Sequence, residues 1–143
     1  MANPAQSSQS AQSDQPTTKK TIFSKIVDGE LPATVHYQDD DFMVIDDIQP
    51  AAPVHLLIIS KRPYASLEEV PLDRVGFHSR LLQLARQMAA KLGIADNYKL
   101  VMNVGRQVQQ VQHLHLHLLG GWRAKKTARQ LDQETEAFVN RSQ

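Results

Sequence analysis

Between Gln112 and Gly121 the chain reads QHLHLHLLGG, with His113, His115 and His117 at alternate positions and leucines between them. Imidazole titrates near neutrality, binds metals, attacks electrophiles and both donates and accepts hydrogen bonds. Three in one short segment therefore raise three possibilities: a metal site, a nucleophile with helpers, or a polar strand face that merely happens to be histidine. For a lone histidine the last is the ordinary answer, but three in register exceed what such a face requires. At ~3.3 Å of rise per strand residue the outer two Cα atoms stand roughly 13 Å apart, too far to share one ion with metal–nitrogen bonds near 2 Å. Two of them with His55 or an aspartate could still hold a metal, so that chemistry is narrowed and stays open. In the catalytic alternative one imidazole attacks while its neighbours bind anionic oxygens or orient the ring.

Such roles need a strand, because only alternation puts His113, His115 and His117 on one face and Leu114, Leu116 and Leu118 on a buried one. The pattern predicts strands at Thr34 to Gln38, Phe42 to Asp46, Val54 to Ser60, Tyr98 to Asn103 and Gln112 to Leu118. Asp39 to Asp41 reads as a solvated hairpin turn. Ile22, Phe23 and Ile26 recur at helical spacing, and Gly29 can close that turn in a left-handed conformation. Between Leu72 and Leu92 the residues Val75, Leu82, Ala85, Met88, Ala89 and Leu92 trace one face of a long helix, with Gly93 placed to end it. The order α-β-β-β-α-β-β favours an α+β fold with a five-stranded antiparallel sheet.

The 143 residues suit one domain. Sixteen Lys+Arg against fifteen Asp+Glu leave a net charge of +1, too weak a field to gather nucleic acid or an anionic membrane. The chain has no cysteine, so disulfides, thiolate zinc sites and a Cys nucleophile are excluded together. Residues 1–18, rich in Gln, Ser, Ala and Pro, cannot bury enough apolar surface to fold and read as a disordered polar tail. Nothing resembles a signal peptide or a membrane span, and a small cytoplasmic protein is the simplest expectation.

His113-Leu114-His115-Leu116-His117-Leu118-Leu119 fits the histidine-triad pattern, in which histidines alternate with apolar residues. TIFSKIVDGELPA, DDIQPAAPVHLLIISKR, Asn103 in VMNVG and the closing LLGG fall in the order and spacing of its Hint branch. The chain thus resembles the histidine-triad family of nucleotide-binding hydrolases from about Thr21 to Gly121. The resemblance implies a domain over residues 19–122, a C-terminal extension over 123–143 with helical character from Thr127 to Val139, and a homodimer whose sheets join into ten strands. It implies cleavage at the α-phosphate of a purine nucleoside phosphoramidate through a nucleotidyl-histidine, without a cofactor or resident metal. His115 would attack, His117 contact phosphate, His113 orient the rings and His55 sit near the phosphate. Asp47 would accept hydrogen bonds from both ribose hydroxyls; Phe23, Ile26, Ile45, Ile48 and Leu57 would surround the base, although a plain core role explains these five almost as well. Asn103 would bond phosphate or the histidines, and Gln109 would belong to the nucleotide-binding residues. His36 and His78 match nothing functional.

Hint proteins usually place Gly-Gly-Gln-Ser/Thr just before the triad. Here GRQVQQVQ sets Gln109 at the Gln position and Gln110 where the hydroxyl belongs, with no Ser or Thr between Asn103 and His113. The missing hydroxyl bears on proton delivery to a leaving amine. Three alternatives therefore stand beside the phosphoramidase: a dinucleoside polyphosphate hydrolase, a non-catalytic nucleotide sensor and a metal protein. Trp122 could stack over a leaving group or pack locally.

Overall fold

The computed structural model describes residues 19–122 and 128–141, with side chains of the last helix described over 133–140. The first helix, α1 (Ile22–Val27), begins where Thr21 accepts a hydrogen bond from the Ser24 amide at 3.0 Å, a standard N-cap. It ends before Gly29, whose φ of +81° suits the position after a helix. β1 (Val35–Gln38) and β2 (Phe42–Asp46) then form a hairpin. Its turn is more than solvated charge: Asp39 accepts from the amides of Asp41 and Phe42, and Tyr37 and Arg80 donate to its other oxygen.

β3 (Val54–Ser60) follows, and after a 3-10 turn at Leu67–Glu69 the chain enters α2 (Phe77–Lys91). The helix begins five residues later than its apolar pattern suggests. Leu72 and Val75 are 95% and 96% exposed, because the chain turns at Pro71 and Gly76 takes a φ of +89°, outside helical space. Leu82, assigned to the buried face, is half exposed; Phe77, Leu81, Leu84, Ala85, Met88 and Ala89 form that face instead.

β4 (Tyr98–Val101) and β5 (His115–Gly120) complete the five-stranded antiparallel sheet that the element order implies, and its strands lie in the order β1-β2-β3-β5-β4. β4 stops before Asn103, and β5 starts after His113. Residues just ahead of β5 bond elsewhere: the His113 amide donates to the Val111 carbonyl, and the Leu114 amide donates to the Tyr64 carbonyl. The last helix, α3 (Ala128–Arg141), covers the span expected to be helical, except for Thr127. Thr127, with the tail over 1–18, lies outside the described residues.

Alternation divides the sheet into two faces with different work. Phe42, Val44, Leu56, Ile58, Leu116 and Leu118 pack with α2 into the main core. On the opposite face α1 lays Phe23 over Met43, Ile45, Leu57 and Ile59. The register pairs Ile59 with His115 and Leu57 with His117, so these histidines rise from that second face beside α1. Among the described residues no helix is long and apolar enough to cross a membrane.

Candidate active site

Backbone groups fix where the protons sit on the histidines. His115 Nδ1 lies 2.6 Å from the carbonyl of His113. A carbonyl only accepts, so Nδ1 carries the hydrogen and Nε2 presents a lone pair. The acceptor belongs to the segment leading into β5 rather than to the adjoining strand, because the chain at His113 turns its carbonyl back toward the ring two residues on. His113 is tied the other way round: its Nε2 donates to the Ser60 carbonyl at 2.7 Å, and its Nδ1 accepts from the Thr21 hydroxyl at 2.9 Å. Ser24 Oγ lies 3.3 Å from the same nitrogen. The residue that caps α1 thus also holds the first histidine, linking the helix to the segment that orients His115. Phe23 completes the link, its ring edge-on to both His113 and His115.

His55 and His117 form a second chain of bonds. The Ala51 amide can only donate, and it lies 3.0 Å from His55 Nδ1, so His55 Nε2 carries the hydrogen. That N–H points at His117 Nδ1, 3.0 Å away, with Asp47 Oδ2 at 3.3 Å. His117 Nδ1 is therefore the acceptor, and the proton of the neutral ring sits on Nε2. His117 Nε2 is the one buried side-chain polar atom without a partner among the described residues. A buried, unsatisfied N–H costs about 1–3 kcal/mol, and an anionic oxygen is what would relieve it.

Burial holds the imidazoles of His113, His115 and His117 below the ordinary value of 6.5, so all three are neutral at pH 7. The effect is largest at His117, where desolvation is reinforced by neighbouring His115 and His55. Neutral His115 with Nε2 unprotonated is a competent nucleophile. Asp47, His55 and His117 can each bring one ligand atom within 4.8 Å of the others, the grouping left open by the metal alternative. The Ala51 amide and the His55–His117 bond account for the same atoms as a hydrogen-bond relay.

His115 and His117 border a cavity of about 250 Å³. Phe23, Ile26, Ile45, Ile48 and Leu57, the five expected around a base, all line it, as do Asp47, Asn103, His115 and His117. Ile48 stands at its rim, 89% exposed. Asp47 Oδ1 accepts from the Gln49 amide at 2.8 Å, which fixes the carboxylate. Gln109 departs from expectation. Its amide side chain is buried and saturated, accepting from the Gly105 amide and donating to the Ala65 and Val111 carbonyls, so it braces the loop; Gln110 lines the cavity instead. His55 and His113 do not line this cavity, and His113 borders a separate recess with Thr21 and Ser24. Trp122 lines a separate recess with Pro53, Leu92 and Ile94 and is not among the residues lining the histidine cavity.

Sequence reasoning missed Thr21, Ala51 and Phe138. Thr21 had a signal, a capping residue directly before an apolar helical run. Ala51 acts through its main chain and had none. Phe138 comes from α3, and its ring lies 5.1 Å from that of His55 and 4.7 Å from that of His117, edge-on to both.

A HIT domain family model matches residues 28–124. An uncharacterised HIT-like protein of Synechocystis is 46% identical over 102 residues, covering 71% of this chain and 90% of that protein. The purine nucleoside phosphoramidase of Escherichia coli is 41% identical over 105 residues, covering 72% of this chain and 88% of the enzyme. Among solved structures, a HIT family hydrolase from Clostridium thermocellum is similar with a TM-score of 0.70 and 39% identity, covering 78% of this chain and 98% of that one.

Proposed function

The chain belongs to the HIT family, and from that premise we propose that it is a nucleotide-binding hydrolase that cleaves purine nucleoside phosphoramidates at the α-phosphate. His115 Nε2 attacks phosphorus, forming an N–P bond as the bond to the leaving amine breaks. Water then attacks the same phosphorus, releasing the nucleoside monophosphate and restoring neutral His115. His117 Nε2–H donates to a phosphate oxygen throughout. Asp47 accepts from the ribose hydroxyls, and the base lies against Phe23, Ile26, Ile45, Leu57 and Ile48, with Asn103 at the phosphate end. Gln110 is no acid, so the leaving nitrogen takes its proton from solvent.

The observation that carries this is the paired proton assignment: a lone pair on His115 Nε2 and an orphaned N–H on His117 Nε2, both at one cavity. One atom suits attack and the other suits the charge that develops on the phosphoryl oxygens. The test is single-turnover hydrolysis of adenosine 5′-phosphoramidate and diadenosine polyphosphate by wild type and His115→Ala, with mass spectrometry of the quenched protein. Wild type should turn over the phosphoramidate and carry an adenylyl adduct on His115. Equal turnover by His115→Ala would refute the assignment, and nucleotide binding without turnover of either substrate would make the protein a sensor. As an edge strand of the sheet, β4 can pair with that of a second copy to give ten strands. Light scattering should then give the mass of a dimer.

A further inference from the structure

The carbonyl that holds the His115 proton belongs to a residue outside the sheet. β5 and its pairing with β3 begin at His115, so strand register does not fix the backbone at His113. Its own polar groups hold it instead. The amide donates to the Val111 carbonyl at 2.9 Å, ring Nε2 donates to the Ser60 carbonyl at 2.7 Å, and ring Nδ1 accepts from the Thr21 hydroxyl at 2.9 Å. On the far side of the same peptide unit the Leu114 amide donates to the Tyr64 carbonyl at 2.8 Å. Val111, Ser60 and Tyr64 act through their main chain, and Thr21 acts through its side chain.

Thr21 does not line the histidine cavity; it borders the separate recess with Ser24, Lys61 and Gln112, so contact with a nucleotide there does not account for the bond. Two demands fall on one oxygen. It accepts from the Ser24 amide to cap α1, and its hydrogen goes to His113. Aspartate would cap as well and has no hydrogen to give. Ser24 Oγ approaches the same ring nitrogen, at the longer distance of 3.3 Å.

We propose that Thr21 is a positioning residue for the nucleophile: its hydroxyl locks the His113 ring, and the locked ring holds the His113 carbonyl where it keeps hydrogen on His115 Nδ1. The kinetic consequence rests on the hydrolytic assignment above; the structural one does not. Without the hydroxyl, His113 Nδ1 is left with the longer Ser24 contact in a residue 1% exposed, where an unsatisfied polar atom is costly. The ring moves toward a better partner and takes the carbonyl with it. His115 then divides its hydrogen between two nitrogens, and the fraction with a lone pair on Nε2 falls. Neither Thr21 nor His113 lines the cavity, so attack suffers while nucleotide affinity does not.

The experiment compares full-length wild type, Thr21→Ser, Thr21→Val and Lys25→Gly. Adenosine 5′-phosphoramidate gives kcat and KM, and long-range proton–nitrogen NMR reads which nitrogen of His115 carries hydrogen. Lys25 is exposed on α1, so Lys25→Gly loosens that helix about as much as loss of its cap does while leaving the Thr21–His113 bond in place. Wild type should show hydrogen on Nδ1 and a bare Nε2. Thr21→Val should move part of the hydrogen to Nε2 and lower kcat roughly tenfold or more with KM nearly unchanged. Thr21→Ser and Lys25→Gly should match wild type in both readouts. Should Thr21→Val not fold, Thr21→Ala carries the same expectation. His115 nitrogen signals in Thr21→Val that match wild type overturn the proposal, as does a Lys25→Gly protein that reproduces the Thr21→Val change. If wild type does not hydrolyse the phosphoramidate, the hydrolase assignment has failed, and the nitrogen signals alone still decide the role of Thr21.

Discussion

Acidification should unfold this protein through its own buried histidines. His113, His115 and His117 are 1%, 6% and 5% exposed, and burial holds each below 6.5 in the native state. In the unfolded chain all three recover ordinary values and take up protons that the native state refuses. The unfolded state therefore binds more protons, and the stability is intact above pH 6.5 and lost as pH falls from there toward the native values. One imidazole that titrates only on unfolding contributes a loss of about 1.4 kcal/mol between pH 7.5 and 5.5, so three contribute up to about 4 kcal/mol. That is a large share of the 5–15 kcal/mol typical of a domain, and carboxylates, which protonate near pH 4 when unfolded, add little in this window. Urea unfolding at pH 7.5, 6.5 and 5.5 measures it, with the midpoint falling steeply across the last step. His117→Gln should remove at least about one third of the slope, since its imidazole is held at about 2 in the native state. A midpoint that is flat from pH 7.5 to 5.5, or native C2 protons of His113, His115 and His117 titrating near 6.5 by NMR, would refute the argument.

Three further outcomes are expected. Asp47→Asn removes a charged acceptor worth about 1.5–3 kcal/mol, so KM should rise roughly tenfold or more, and the penalty wild type shows for a 2′-deoxy substrate should shrink. Gln110→Ser restores a hydroxyl at the cavity wall and should speed phosphoramidate cleavage by about tenfold or more while leaving a phosphoanhydride substrate, whose leaving group needs no proton, nearly unaffected; equal effects on both would count against a role in proton delivery. Gly120→Ala forces a Cβ to within 2.7 Å of Ile94 Cδ1 and 3.3 Å of the Asn97 carbonyl, so thermal or urea unfolding should show a loss of about 1–3 kcal/mol.

How much was legible in the sequence depended on where the determining contacts lie. The period-two run from His113 to Leu118 declares its two faces, since alternation survives any error in strand ends. Apolar spacing alone misplaced the start of α2, because Val75 fits the helical period while Pro71 and Gly76 turn the chain before the helix can form. Adjacent glutamines could not be told apart by type: Gln109 is drawn inward by three backbone partners, and Gln110 is left to the cavity. Phe138 was illegible for a different reason. Its helix advertises an apolar face, and amphipathicity does not say which distant surface that face will meet.

The carbonyls of His113 and Ser60 and the amide of Ala51 decide which nitrogen of His115, His113 and His55 carries hydrogen. Main-chain groups are the same in every residue, so this protonation pattern is largely insensitive to which side chains surround it. Residues lining the cavity can drift while His115 keeps its tautomer. The vulnerable positions are instead those that would shift the backbone, such as Gly120 at the end of β5, where an added Cβ would meet Ile94 and the Asn97 carbonyl. Evolution acting on such a site has wide freedom in what it binds and little in how it reacts.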